Sequence, residues 1–331
     1  MSDDLLQLPE NDRRDVYEVA AADLGLPSRI VEKDVWICWV LGALFSDPGA
    51  MPMAFKGGTS LSKAFGAIDR FSEDIDITVG FEEVNQQLPT SRNKCRDLGS
   101  MLRHRVSIHM TSHVAPMLEA RFADEFGSFT GLLELKSDEE IIFNYPSCYP
   151  MTGDYVFERV KIEFGGRNSI DPQDEIAIRP YLADLDLALD FPSASVRVLS
   201  PIRTFWEKAT LAHDECNRPE WNHEGERFAR HWYDLARLAD QDIGRRALTE
   251  RAVLEDVIRI KSAFYYRATS DYPSCLAGGF QLIPDVARCD HLGHDFDAMV
   301  RAGMFSKTPP SFDAITVRLT DLQNEINTQM R

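Results

Sequence analysis

Between Phe55 and Ile77 the chain reads FKGGTSLSKAFGAIDRFSEDIDI. The preceding residues overlap it as MPMAF (51–55), a short apolar run that reads as a strand. Gly57 and Gly58 let the backbone turn sharply. With the Thr59 hydroxyl they present hydrogen-bond donors to an anion where a helix opens from Ser60 to Phe65. Farther on, Ile75, Ile77 and Val79 alternate with Asp74, Asp76 and Thr78, and this period of two puts both acids on one face of a second strand. Strand, turn, helix and strand therefore bring the glycines and the carboxylates to one end. The glycine pattern is neither GxxxxGK[ST] nor GxGxxG and says little alone; the acid pair gives it weight.

Two carboxylates projecting together repel unless a cation joins them, and a hard divalent ion with oxygen ligands answers that need. Mg²⁺ is expected, with Mn²⁺ as the alternative. Glu163 supplies a third acid: in RVKIEF (159–164) it alternates with Lys161 against Val160 and Ile162 on another expected strand. Such a set suits phosphoryl or nucleotidyl transfer from an NTP substrate, where metal ions orient the triphosphate and help an acceptor hydroxyl lose its proton. The triphosphate also needs cations, and Lys63, Arg70, Lys208 and Arg230 are the candidates. Arg70 can instead orient Asp74 or Asp76 by a charge-assisted bond.

The rest of the chain places this segment in an α/β front half. Helices are expected over 12–24 and 28–45, and over 92–126 in two pieces, with strands at 129–136, 140–145 and 155–164. A boundary falls between Pro192 and Pro201, after the polar stretch IAIRPYLADL (176–185). Beyond it the pattern is helical, over 201–215, 225–240, 247–266, 292–302 and 308–329. This gives an α/β domain over 1–195 and a mainly helical domain over 196–331. His104, His109 and His113 have helical spacing without an HExxH acid, and His291 and His294 are equally unsupported, so all read as structural or surface histidines. Trp206, Trp221 and Trp232 read as packing rather than as nucleobase stacking.

Composition narrows the function classes. The chain has 331 residues, 44% apolar and 27% charged, enough for a sizeable core and ordinarily two domains. Its start, MSDDLLQLPENDRRD, lacks a basic region followed by an apolar core. The apolar run VWICWVLGALF has only eleven residues, too short for a span. Six scattered cysteines carry no CxxC pair, and free thiols in a reducing cytoplasm are the expectation. The formal charge of −17 disfavours extended binding of duplex DNA, while leaving room for a small anion in a local basic pocket or for RNA on one basic face.

Gly57-Gly58-Thr59-Ser60-Leu61-Ser62-Lys63 followed by Arg70-Phe71-Ser72-Glu73-Asp74-Ile75-Asp76 closely resembles the nucleotidyltransferase-like toxins of abortive-infection systems, AbiEii/AbiGii. Their signature is similar to GG[ST]xLxK, then RxSxDxD, then a strand with a third acid, and Glu32-Lys33-Asp34 resembles their preceding helix. The resemblance is strong over 54–79 and weaker over most of the chain. It implies the minimal polymerase-β-like nucleotidyltransferase fold, an α+β domain with a mixed sheet, closed by a C-terminal helical domain. It further implies that Gly58 and Thr59 hold the β/γ-phosphates, that Asp74 and Asp76 bind Mg²⁺, and that Glu163 takes the third-carboxylate position. Lys208 matches a triphosphate contact, and Asp234, in RHWYD (230–234), matches a downstream acid. The NTP would then enter between the two halves, with transfer to RNA such as tRNA ends, or to protein, and with a cognate antitoxin as partner. Two other readings of the same groups are a kinase-like transfer of the γ-phosphate and a nucleotide- or partner-binding protein without catalysis.

Overall fold

A computed structural model describes residues 4–81, 87–150, 158–220 and 227–331. The chain forms two compact units. One comprises Met1–Val84, Gly99–Leu199 and Ala302–Lys307; the other comprises Asn85–Leu98, Ser200–Arg301 and Thr308–Arg331.

The first unit carries α1 (Glu10–Leu24), α2 (Ser28–Ser46), β1 (Met53–Lys56), α3 (Gly57–Lys63) and β2 (Asp74–Gly80). After α4 (Arg92–His109), whose last residues belong to this unit, come α5 (Ala115–Phe126), β3 (Leu133–Ser137), β4 (Glu140–Phe143), β5 (Val160–Asn168), β6 (Gln173–Ile178) and β7 (Ala194–Leu199). A π-helical turn at Met110–Val114 joins α4 to α5, where Pro116 has no N–H to offer the preceding turn. The seven strands make one mixed sheet in the order β3-β4-β5-β2-β1-β7-β6. β1 runs antiparallel to β2 and parallel to β7, while β2 runs parallel to β5.

Three strands depart from the sequence reading. The stretch between Pro192 and Pro201 holds β7, which sits beside β1 in the sheet interior with Val198 opposite Phe55 and buries Val196, Val198 and Leu199. The polar stretch before it includes the end of β6, an edge strand whose side chains are mostly solvated. Prolines at both ends and alternating polar residues hid β7 as a linker. The strand expected over 155–164 begins at Val160 and extends to Asn168; residues 155–157 lie outside the described residues.

The second unit is helical, as expected: α6 (Pro201–Cys216), α7 (Ala229–Ala239), α8 (Asp242–Thr249), α9 (Arg251–Phe264), α10 (Tyr272–Cys275), α11 (Val286–Arg301) and α12 (Phe312–Met330). Ser200 caps α6 by accepting from the Ile202 N–H, and Pro201 fits the first helical position. Trp206 and Trp232 are core residues, and the Trp232 indole donates to the Leu282 carbonyl at 2.8 Å. Trp221 and the first two residues of the helix expected over 225–240 lie outside the described residues. His109 and His113 stack at 5.0 Å, and His113 binds Asp47 at 2.6 Å; both are structural in the first unit.

Helix α2 is buried on nearly every side, from Ile30 to Leu44, as a helix inside a large core must be. Trp36 and Trp39 pack with Phe122, Phe126 and Phe143 in an aromatic cluster against α5 and β4. The helix nonetheless carries Glu32, Lys33 and Asp34 into the interior, so each must find a partner. Glu32 accepts from the Ser147 hydroxyl at 2.5 Å and the Cys148 N–H at 2.7 Å. Lys33 pairs with Glu73 at 2.6 Å, one residue before β2. Asp34 pairs with Lys63, at the end of α3, at 2.5 Å and accepts from the Tyr181 N–H at 2.7 Å.

Replacing Asp34 by Ala strands the Lys63 ammonium in the core, and the expected cost is about 3–5 kcal/mol in chemical denaturation. The double variant Asp34→Leu/Lys63→Met should recover most of that loss, because it removes both charges together.

Candidate active site

The turn from β1 into α3 folds around one carboxylate. Gly57 begins α3 with φ at +83°, a left-handed conformation natural to glycine, and a Cβ there would overlap the Asp76 carboxylate. The turn therefore packs its bare backbone against the acid and holds it from one side. At Gly58 a Cβ would stand 2.6 Å from Arg70 Nη2 and 2.7 Å from Ser72 Oγ. Both glycines are needed for close approach, one to the acid and one to the arginine.

The alternation expected in β2 is present: Asp74 and Asp76 are partly exposed while Ile75 and Ile77 are buried. The parallel register sets Asp76 opposite Glu163 and Asp74 opposite Lys161 on β5. Across the sheet, Lys56, Asp76, Glu163 and Glu140 occupy one row on β1, β2, β5 and β4. The three expected acids are thus neighbours on one face, and Glu140 extends the row.

Lys161 stands among them. Its Nζ lies 2.6 Å from Glu163 Oε1 and 3.7 Å from Asp74 Oδ2, so one ammonium serves acids of both strands. Burial opposes ionisation of Glu163, but the charge and hydrogen bond of Lys161 outweigh it and lower the glutamate's pKa. Oxygen donors of this kind suit a hard divalent cation. As they stand, however, no three His, Cys, Asp or Glu among the described residues are assembled into a metal-holding group.

The surrounding residues sort differently from the sequence expectation. Thr59 is fully buried, and its hydroxyl donates to the Asp74 carbonyl at 2.5 Å, tying α3 to β2 instead of reaching outward to a phosphate. Lys63 is not available to an anion either. Its ammonium is buried between Asp34 and the Tyr181 ring, 3.8 Å from the ring centre. Burial works against that charge, but the Asp34 carboxylate prevails and raises the lysine's pKa. Arg70 is buried as well, with Nη1 donating to the Phe71 carbonyl at 3.1 Å and Nη2 against Gly58. It therefore shapes the turn. Nearby, the Phe71 N–H donates to the Met304 carbonyl at 2.7 Å, so residues 302–307 complete this unit's loop.

In the second unit, Lys208 on α6 and Asp234 on α7 form a buried ion pair at 2.8 Å. His231 Nδ1 lies 3.4 Å from the same ammonium. The two helices expected to carry these residues do so, but nothing in the local patterns marked the two as each other's partners. Lys161 was legible only as an alternating strand residue, because its place depends on the β2–β5 register.

A family model for the AbiEii toxin, a nucleotidyl transferase of type IV toxin–antitoxin systems, matches residues 39–317. The chain belongs to the AbiEii nucleotidyltransferase toxin family. The match takes in every candidate site residue from Gly57 to Asp234, while Glu32, Lys33 and Asp34 precede it. Among solved structures the chain is similar to MenT4, a nucleotidyltransferase toxin from Mycobacterium tuberculosis H37Rv, at 13% identity and a TM-score of 0.44, covering 95% of this chain and 98% of that one. No curated protein sequence matches the chain. No helix among the described residues is long and apolar enough to cross a membrane.

A Cβ at residue 57 tests whether the Asp76 geometry matters. Gly57→Ala should strain the backbone by about 1–2 kcal/mol and displace the carboxylate. Displacement on the ångström scale should lower the family's transferase activity by about 10²-fold, measured as initial rate at saturating nucleotide alongside the denaturation midpoint.

Proposed function

We propose that this chain transfers a nucleoside monophosphate from an NTP to an acceptor hydroxyl on RNA, such as a tRNA end, or on protein, and that it acts as the toxin of a pair with a cognate antitoxin. The observation that carries the reading is the Asp74/Asp76 pair on β2, with the Gly57 backbone pressed against Asp76 and Glu163 opposite it. Family membership supports the reaction class. The proposal is for action in the cytoplasm, where NTP and RNA are at hand.

In this reading Asp74 and Asp76, with Glu163, would hold Mg²⁺ or Mn²⁺, whose charge would neutralise the triphosphate and acidify the acceptor hydroxyl. The chain's own residues position the reactants. Gly57 fixes the side from which Asp76 can be approached, and Thr59 locks the Asp74 backbone. The acceptor oxygen bonds to the α-phosphorus, the bond to the β-phosphate oxygen breaks, and pyrophosphate leaves. The hydroxyl proton passes to one of the carboxylates. Lys208 is the proposed cation for the phosphates, with Asp234 as its orienting partner.

Incubation with each α-³²P-labelled NTP, Mg²⁺ and total RNA or cell extract should place label in an RNA or protein band. Asp76→Asn, which removes a charge without removing volume, should abolish that label while far-UV circular dichroism stays native. Label that persists in this variant would end the two-acid mechanism, and transfer from γ-labelled NTP alone would make the enzyme a kinase.

Lys208 needs a paired test, since Lys208→Ala alone leaves the Asp234 carboxylate buried without its partner. The double variant Lys208→Met/Asp234→Asn should fold, and should use NTP about 10²–10³-fold less efficiently. Wild-type efficiency in that variant would assign the pair to stability alone.

A further inference from the structure

We infer that Lys161 is a built-in counter-cation for the acid row, one that a divalent ion must displace, and that it thereby sets how tightly the site holds metal. The inference rests on the proposed metal-binding role of Asp74, Asp76 and Glu163 and concerns this chain's own side chain. Three features carry it. The parallel register of β2 and β5 puts Lys161 directly opposite Asp74 and two residues from Glu163 on the same face. The ammonium reaches acids on both strands, at 2.6 Å and 3.7 Å. Its side chain is 29% exposed, in contrast to the 1% of Lys63, so it has an open path to solvent.

Asp74, Asp76 and Glu163 crowd one face, and without a cation their repulsion would splay the side chains or retain protons on them. Lys161 offsets that repulsion and keeps the carboxylates gathered. A divalent ion entering the same cluster would place two positive charges within Coulomb range of the ammonium. The flexible four-carbon stem allows the lysine to retract, and Glu163 is released from its 2.6 Å bond to serve the ion. Metal binding is therefore an exchange of one cation for another, and its affinity is lower than that of the bare acids.

The test is Mn²⁺ binding to the full-length, nucleotide-free chain, monitored by electron paramagnetic resonance and by thermal unfolding in EDTA and in Mn²⁺. Lys161→Met should bind Mn²⁺ about tenfold more tightly than wild type, since it removes the competing charge. The same variant should melt lower than wild type in EDTA and gain more from Mn²⁺. Lys161→Arg should stay near wild type in both measurements, and Lys161→Gln serves as a second neutral variant if the methionine variant does not fold. Folded neutral variants whose Mn²⁺ affinity is unchanged or weaker would overturn the inference. Asp76→Asn separates this from the underlying metal site. If it weakens Mn²⁺ binding while Lys161→Met leaves affinity unchanged, the metal site stands and the role of Lys161 falls. If neither substitution alters Mn²⁺ binding, the ion sits elsewhere and both readings fall.

Discussion

Burying three consecutive charged residues on α2 obliges the first unit to build partners for them, and those partners hold the candidate site in place. Glu32 fixes the loop at Ser147 and Cys148, Lys33 reaches Glu73 at the foot of β2, and Asp34 reaches Lys63 at the end of α3. A charge inside a core is costly unless paired and hydrogen-bonded, so these contacts are specific in a way that apolar packing is not. One helix thereby sets the position of both the acid strand and the glycine helix. The aromatic cluster around Trp36 and Trp39 anchors that helix.

The site itself is a problem of crowded like charges, met in part by close backbone approach and by Lys161. Gly57 lets the chain touch the Asp76 carboxylate, and Thr59 stitches α3 to the Asp74 carbonyl. Lys161 offsets the negative charge that the sheet register concentrates. The overall charge of −17 makes such local cations consequential, because the surface as a whole does not attract an anionic substrate.

Much of this was legible in local patterns. The alternation of Asp74 and Asp76 with Ile75 and Ile77 places two acids on one face whatever the strand pairs with, since the side-chain period of a strand is two. Gly57 and Gly58 announced a tight turn, and the helical second half followed from its apolar periodicity. Local patterns failed where function depends on a distant partner. Lys63 looked like a phosphate contact, yet its charge is consumed by Asp34, twenty-nine positions earlier. Strand β7 looked like a linker because its prolines are at its ends, while its place beside β1 is set by a parallel crossover that no short window contains.

Fold class, family and the pair of acids are written into the linear chain, because propensity, periodicity and a short motif are properties of neighbouring residues. Long-range packing alone settles which charged groups are spent inside the fold and which remain at the site. Lys63, Arg70 and Thr59 carry the same donors in either case; the difference lies in what surrounds them. Glu163 and Lys161 acquire their relation to Asp76 and Asp74 from the pairing of β5 with β2, across more than eighty residues of chain. Register is a long-range quantity, and the electrostatics of the site derive from register.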